Sequence, residues 1–226
     1  MSDFDTDGGP EGDWEDRGEL AWNEFDWERY LREQDDSIHR YLGFYEAFRD
    51  TPNRIDVVAE QMGWDQGTWA EEDDSPGDEE LSNEPADRPE PEVYTLHKNP
   101  IFIATKAIYL SLKRPWELTA GDSAKVPSAL ALGFLASLHR GEEQAVQAIH
   151  ALDFGDYAMA VSLFKRALSA LNQSLSLLNA DAAQAHRTVS DFRTQALPAL
   201  FDLREIWLRV IAECRDESDR PVDEES

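Results

Sequence analysis

The chain has a single cysteine, Cys214, in 226 residues, so no intrachain disulfide can brace it and a disulfide-stapled secreted scaffold is excluded. Positive charge is scarce as well. Against 47 Asp and Glu stand 21 Lys and Arg, a formal charge of −26, which works against direct binding to nucleic acid or to an anionic membrane. Long apolar runs are missing: the uncharged stretch in the apolar half, Val126 to Leu138, is far short of a bilayer span. The first residues are acidic and lack the basic-then-apolar pattern of an export signal, so a cytoplasmic location is expected. No glycine-rich phosphate loop and no cysteine–histidine zinc spacing occurs, and alternation of the strand type is confined to residues 93–96.

The acidity that is present is unevenly placed. Residues 1–19 hold 8 acids and 1 base, residues 65–92 hold 12 and 1, and residues 215–226 hold 6 and 2, whereas residues 93–214 hold 11 acids and 12 bases. Salt-adapted proteins spread carboxylates over folded surface, which is not this pattern. The acid-rich segments are also rich in Gly and Pro and have no hydrophobic period, so they are expected to be disordered. The division that follows is a disordered acidic tail at 1–19, an aromatic helical pair at 20–64, a disordered acidic linker at 65–95, a helical bundle at 96–214, and a second acidic tail at 215–226.

Residues 20–48 read as one helix, with Trp27, Leu31, Ile38, Leu42 and Tyr45 at helical spacing and Tyr30, Tyr41 and Phe48 widening the stripe. Gln34-Asp35-Asp36 interrupts that stripe and marks a candidate bend. Thr51-Pro52 has the form of an N-cap followed by proline in the first turn, opening a short helix with Ile55, Val58, Ala59 and Met62 on one face and a stop at Gly63. Asn99-Pro100 repeats the same start. The helix after it, Ile101 to Leu112, is largely apolar and is expected to end at Pro115, with Lys113 and Arg114 in its last turn. A further helix runs from about Pro127 through Gly141 to Leu152. In the next, Tyr157, Ala160, Val161, Phe164, Leu168, Leu171, Leu175 and Leu178 step by three and four. The last begins after Asp181, carries Ala185, Val189, Phe192, Ala196, Leu203, Trp207, Val210 and Cys214, and is expected to kink at Pro198. The fold class is therefore all-α: a C-terminal antiparallel four-helix bundle with an N-terminal helical pair on an acidic linker.

Several motifs carry candidate chemistry. Gly155-Asp156-Tyr157 with Ala160, Phe164, Ala167 and Leu168 resembles the turn and second helix of a tetratricopeptide repeat over about 14 residues. The preceding helix departs from that family, with Gln144 and Gln147 where large apolar residues belong. Asn172 replaces the closing proline and no second copy follows, so a helix hairpin is the reading adopted. His139, Glu143 and His150 fall near one face of a helix beside Glu142, a weak candidate metal set of the kind bundles build from facing helices. Ser162 and Lys165 match Ser-x-x-Lys without the Lys-Thr-Gly strand that motif needs. Asp35 and His39 are spaced for a carboxylate–imidazole contact. Residues 96–125 hold Lys98, Lys106, Lys113, Arg114 and Lys125 against Glu117 and Asp122, a modest basic patch that could receive an acidic segment.

No catalytic residue is assigned on this sequence and no cofactor is called. Five of seven tryptophans lie in the first 69 residues among acids, as suits aromatic anchors on a partner. The expected function is a non-enzymatic adaptor or regulatory protein that meets an unidentified protein partner through Trp22, Trp27, Tyr30, Leu31 and Tyr41. Homo-oligomerisation is left open, and direct nucleic-acid or membrane binding is not expected. The alternatives are an acidic nucleic-acid mimic that binds a basic protein, and a metal-binding helical bundle.

Overall fold

The computed structural model describes residues 23–64 and 98–219, all α-helix and connecting turns with no strand among them. Trp22, the tail at 1–19 and the linker at 65–95 lie outside the described residues, as does the last part of the C-terminal tail. Seven helices are described: α1 Glu24–Ala47, α2 Arg54–Met62, α3 Pro100–Ala120, α4 Ser128–Asp153, α5 Tyr157–Asn179, α6 Asp181–Gln184 and α7 Arg187–Asp219. Helices α3, α4, α5 and α7 form an antiparallel four-helix bundle in which each packs on two neighbours, and α1 lies along the outside of α3. Among the described residues no helix is long and apolar enough to cross a membrane.

Local sequence accounts for most of the boundaries. Asn23 caps α1 through its side chain while Asp26 bonds back to the Asn23 N–H, a reciprocal capping box. The Gln34-Asp35-Asp36 interruption produces no break, and α1 runs through it. Asn99 accepts from Phe102 N–H at 3.1 Å with Pro100 in the first turn, as its sequence implied. Thr51-Pro52 does not do this. Those residues form a turn, and α2 starts at Arg54 after Asn53, which sits in the left-handed region with φ 54°. Gly63 (φ 80°) ends α2, and Gly155 (φ 71°) makes the turn between α4 and α5, where Asp156 caps α5 by accepting from Met159 N–H at 2.9 Å.

Both interior prolines are passed. Helix α3 continues five residues beyond Pro115, so Lys113 and Arg114 are not in its last turn, and α7 continues across Pro198. The offset to the bond lost at Pro115 is Trp116, fully buried between Phe134 and Phe192 at 4.6 and 4.8 Å, with its indole N–H donating to Ala131 C=O at 3.1 Å. A second aromatic layer surrounds Trp207, which stacks on Tyr109, meets Phe164 at a tilt and donates to the Thr105 hydroxyl at 3.3 Å. The expected C-terminal limit of the bundle at residue 214 is also too early, because α7 extends to Asp219. Its start is late: α6 intervenes, and Ala185 is exposed at the break rather than part of the stripe.

Helix α3 explains how the helical pair relates to the bundle. Ile101, Phe102, Ile103, Ala104 and Thr105 are five consecutive buried residues, and consecutive burial covers a helix on every side. The bundle covers its inner faces and α1 covers the outer one. Ile38, Tyr41, Tyr45, Ile55 and Val58 belong to the same hydrophobic core as the bundle residues.

Candidate functional site

Helix α1 presents one apolar face along its length, but only part of it is covered. A 24-residue helix is about 36 Å long, and its C-terminal half, through Ile38, Tyr41 and Tyr45, is buried. The N-terminal half continues the same face beyond the covered region. Trp27 is 52% exposed and Leu31 49% exposed, while Tyr30 between them is half-buried. Trp27 and Tyr30 meet edge to face at 5.9 Å. Phe25, on another side of the helix, is 76% exposed. Of the five residues expected to contact a partner, the four that are described divide. Trp27, Tyr30 and Leu31 share an accessible face, whereas Tyr41 is 1% exposed and stacks on Tyr45 at 6.0 Å and Trp64 at 5.6 Å, so it is a core residue. The helical period could not separate these two halves, since it reports which residues share a face and not where the neighbouring element ends.

Beneath the buried half of α1 runs a polar seam to α7. Asp202 accepts the Tyr45 hydroxyl at 2.7 Å and also pairs with Arg54 Nε, so one carboxylate ties α1 and α2 to the last helix. The Arg54 guanidinium lies over the Tyr45 ring at 4.1 Å. Burial, with Asp202 as a second cause, pushes the Tyr45 hydroxyl well above its ordinary value; Tyr41 is shifted the same way for the same two reasons. Two turns along α7 from Asp202, Arg209 bridges Asp56 of α2 and Glu205 of its own helix. A cleft of about 210 Å³ beside this seam is lined by Arg49, Thr51, Asn53, Arg54, Pro198 and Asp202. Glu205 also lines it, so two arginines face two carboxylates, and Arg54 pairs with Asp202. A second cleft of about 350 Å³, between α2 and α7, is floored by Ile55, Ile206 and Val210.

The other candidates resolve into local contacts. His139, Glu143 and His150 are all exposed on α4, and among the described residues no group of three or more His, Cys, Asp or Glu could hold a metal ion. The inward carboxylate of that region is Glu142, bonded to Lys106 at 2.8 Å and Lys113 at 2.6 Å. Burial alone would push the Glu142 carboxyl up, but the two lysine hydrogen bonds outweigh burial and hold it below the usual carboxylate value. Those same bonds consume the expected basic patch: Lys106 and Lys113 serve Glu142, and Lys125 pairs with Asp122 at 3.1 Å. His39 bonds through Nδ1 to the Asp35 backbone carbonyl at 2.7 Å, not to its carboxylate, and the Ser162 hydroxyl donates to Ala158 C=O at 3.0 Å. Cys214 is buried, and burial followed by the Glu213 charge pushes its thiol up to about 11, away from nucleophilic use. Comparison of the chain with protein families, characterised proteins and solved structures gives no match.

Proposed function

We propose that the protein is a non-enzymatic interaction component, an adaptor or regulatory subunit, that contacts its partner through the N-terminal half of α1. The observation that carries this reading is the division of one apolar face into a covered half, at Ile38, Tyr41 and Tyr45, and an accessible half, at Trp27 and Leu31. Large aromatic and aliphatic side chains held on a capped, rigid helix lose little conformational freedom on binding and bury much area, which is the character of binding hot spots. The polar seam supports the reading by fixing α1 to the bundle, so that the exposed half is presented in one orientation.

The test is the double substitution Trp27→Ala with Leu31→Ala in the full chain, followed by quantitative affinity capture from the native cell. Proteins that co-isolate with the wild type are expected to be lost. The melting temperature should move by no more than about 3 °C, because the sites are half exposed. Capture of the same proteins at undiminished yield would overturn the proposal.

A further inference from the structure

We infer that the outward face shared by α5 and α7 is a second docking surface, and that it receives an amphipathic helix of another protein whose apolar residues are flanked by carboxylates. On α7, Leu197, Phe201, Arg204, Leu208, Ala212 and Arg215 step by three and four and so share one outward face. Phe201 is 50% and Leu208 45% exposed, although a bundle helix that met only water here would carry polar residues. The bonds of α5 show which of its sides borders α7. Gln173 meets Arg140 of α4, and Asn179 accepts from Arg193 of α7 at 2.8 Å. Tyr157, Val161, Leu168 and Leu175, half-buried, recur on the Asn179 side and extend the apolar face across to α5. From Leu197 to Arg215 the face is about 27 Å long.

The unpaired charges on this face are all positive. Lys165, Arg204 and Arg215 are exposed, and no described carboxylate pairs with any of them. Helix α5 contains Lys165 and Arg166 and no acid. The carboxylates of this part of α7 lie on its other side, toward α2: Asp202 and Glu205 line one cleft, Glu213 and Asp216 the other. In a chain of net charge −26, an apolar strip set among unpaired cations selects a partner that brings carboxylates. The bundle already takes a further helix in this way, with α1 along α3, and the antiparallel pair α5 and α7 offers a groove for one more. An isologous contact with a second copy would instead bring the same three bases from each side. Trp27 and Leu31 belong to α1, which packs on α3 and α2, so either surface can fail its test without the other.

The experiment places a photocrosslinker on the face by Phe201→p-benzoylphenylalanine in the full chain, irradiates in the native cell, and maps the crosslinked peptide. It is repeated with Lys165→Glu, Arg204→Glu and Arg215→Glu added; all three residues are exposed, so the melting temperature should move by no more than about 3 °C. The expected result is a crosslink to another protein, in a segment whose apolar residues recur at helical spacing beside Asp and Glu. Its yield should fall about tenfold on charge reversal, and by a smaller factor with the neutral set Lys165→Gln, Arg204→Gln and Arg215→Gln. Unchanged yield in both sets, or a crosslinked segment without flanking acids, overturns the inference. So does a crosslink to a second copy, to residues 1–22 or 65–97 of the same chain, or to nucleic acid or lipid. A crosslink no stronger than that of the same probe at Leu118, an exposed residue at the far end of α3, overturns it as well.

Discussion

Asp202→Ala should unfold the contact between the helical pair and the bundle more than any surface charge deletion would. The carboxylate accepts the Tyr45 hydroxyl and pairs with Arg54, and the side chains of Arg54 and Asp202 are only 10% and 19% exposed. Removing one member of a buried pair leaves the other charge uncompensated, a loss of about 3–5 kcal/mol. Because Asp202 keeps some contact with solvent, the lower end, about 3 kcal/mol, applies. Arg54 makes the site sensitive: its Nη2 is a buried nitrogen already without a hydrogen-bond partner, so without Asp202 it retains little beyond the Tyr45 ring. For a chain of this size about 3 kcal/mol corresponds to a fall in melting temperature of roughly 6–12 °C. Asp202→Asn keeps an acceptor for Tyr45 and should cost less. The decisive comparison is the pair Arg54→Met with Asp202→Leu, which removes both charges and should recover much of the loss. Thermal and urea unfolding followed by circular dichroism would give the energies, and amide exchange would place the loosened protection in α1 and α2. A cost under about 1 kcal/mol for Asp202→Ala, or a double variant as costly as the sum of its singles, would refute the assignment of this pair as the tie between α2 and α7.

Two further outcomes follow from packing and charge. Gly141→Ala should destabilise by about 1–3 kcal/mol, because a Cβ there collides with the Tyr109 hydroxyl between α3 and α4. Gly43→Ala, with nothing within 4 Å of the added carbon and a helical backbone, should stabilise by about 0.5–1 kcal/mol; equal effects in chemical denaturation would contradict both. Glu142 is held below its ordinary value in the folded state, so the unfolded chain binds the proton more readily and stability rises with pH across that interval. Its contribution is complete above the unfolded carboxylate value of about 4.3 and is lost as pH falls through the lower folded value. Glu142→Gln should flatten the acid limb of a stability–pH curve while lowering the plateau, and an unaltered acid limb would count against it.

Much of this fold could be read from spacing alone. The stripe from Tyr157 to Leu178 predicts α5 closely, and Asn99-Pro100 fixes the start of α3, because each depends on residues within one or two turns. What the sequence concealed depends on contacts between distant segments. Pro115 stops an isolated helix but not one whose next residue, Trp116, fills the space between Phe134 and Phe192. Thr51-Pro52 has the right residue types for a cap, yet the turn places the helix start two residues later. Lys106 and Lys113 read as a free basic patch because their partner, Glu142, lies 29 or more residues away. The consecutive burial of Ile101–Thr105 follows from α1 covering the outer face of α3, a contact between segments too far apart for helical spacing to report. Helical spacing put Trp27, Tyr30, Leu31 and Tyr41 on one face, and burial then separates Tyr41, a core residue, from the other three.

The seam that joins the two ends of the molecule also sets an order of events during synthesis. Tyr45 and Arg54 find Asp202 at sequence separations of 157 and 148 residues. At ordinary translation rates α1 leaves the ribosome about ten seconds or more before the helix that secures it exists. Until α3 follows, its aromatic face has no bundle helix to pack on, and the Asp202 contacts that secure it form slowly even in a complete chain. Carboxylates set beside Trp27 and Leu31, and dense on both sides of the helical pair in sequence, are the residues that keep an exposed apolar segment from associating while it waits. The charge that borders the finished surface therefore also protects the nascent one, and substitutions that neutralise it would act first on yield during biosynthesis, before any effect on the folded protein.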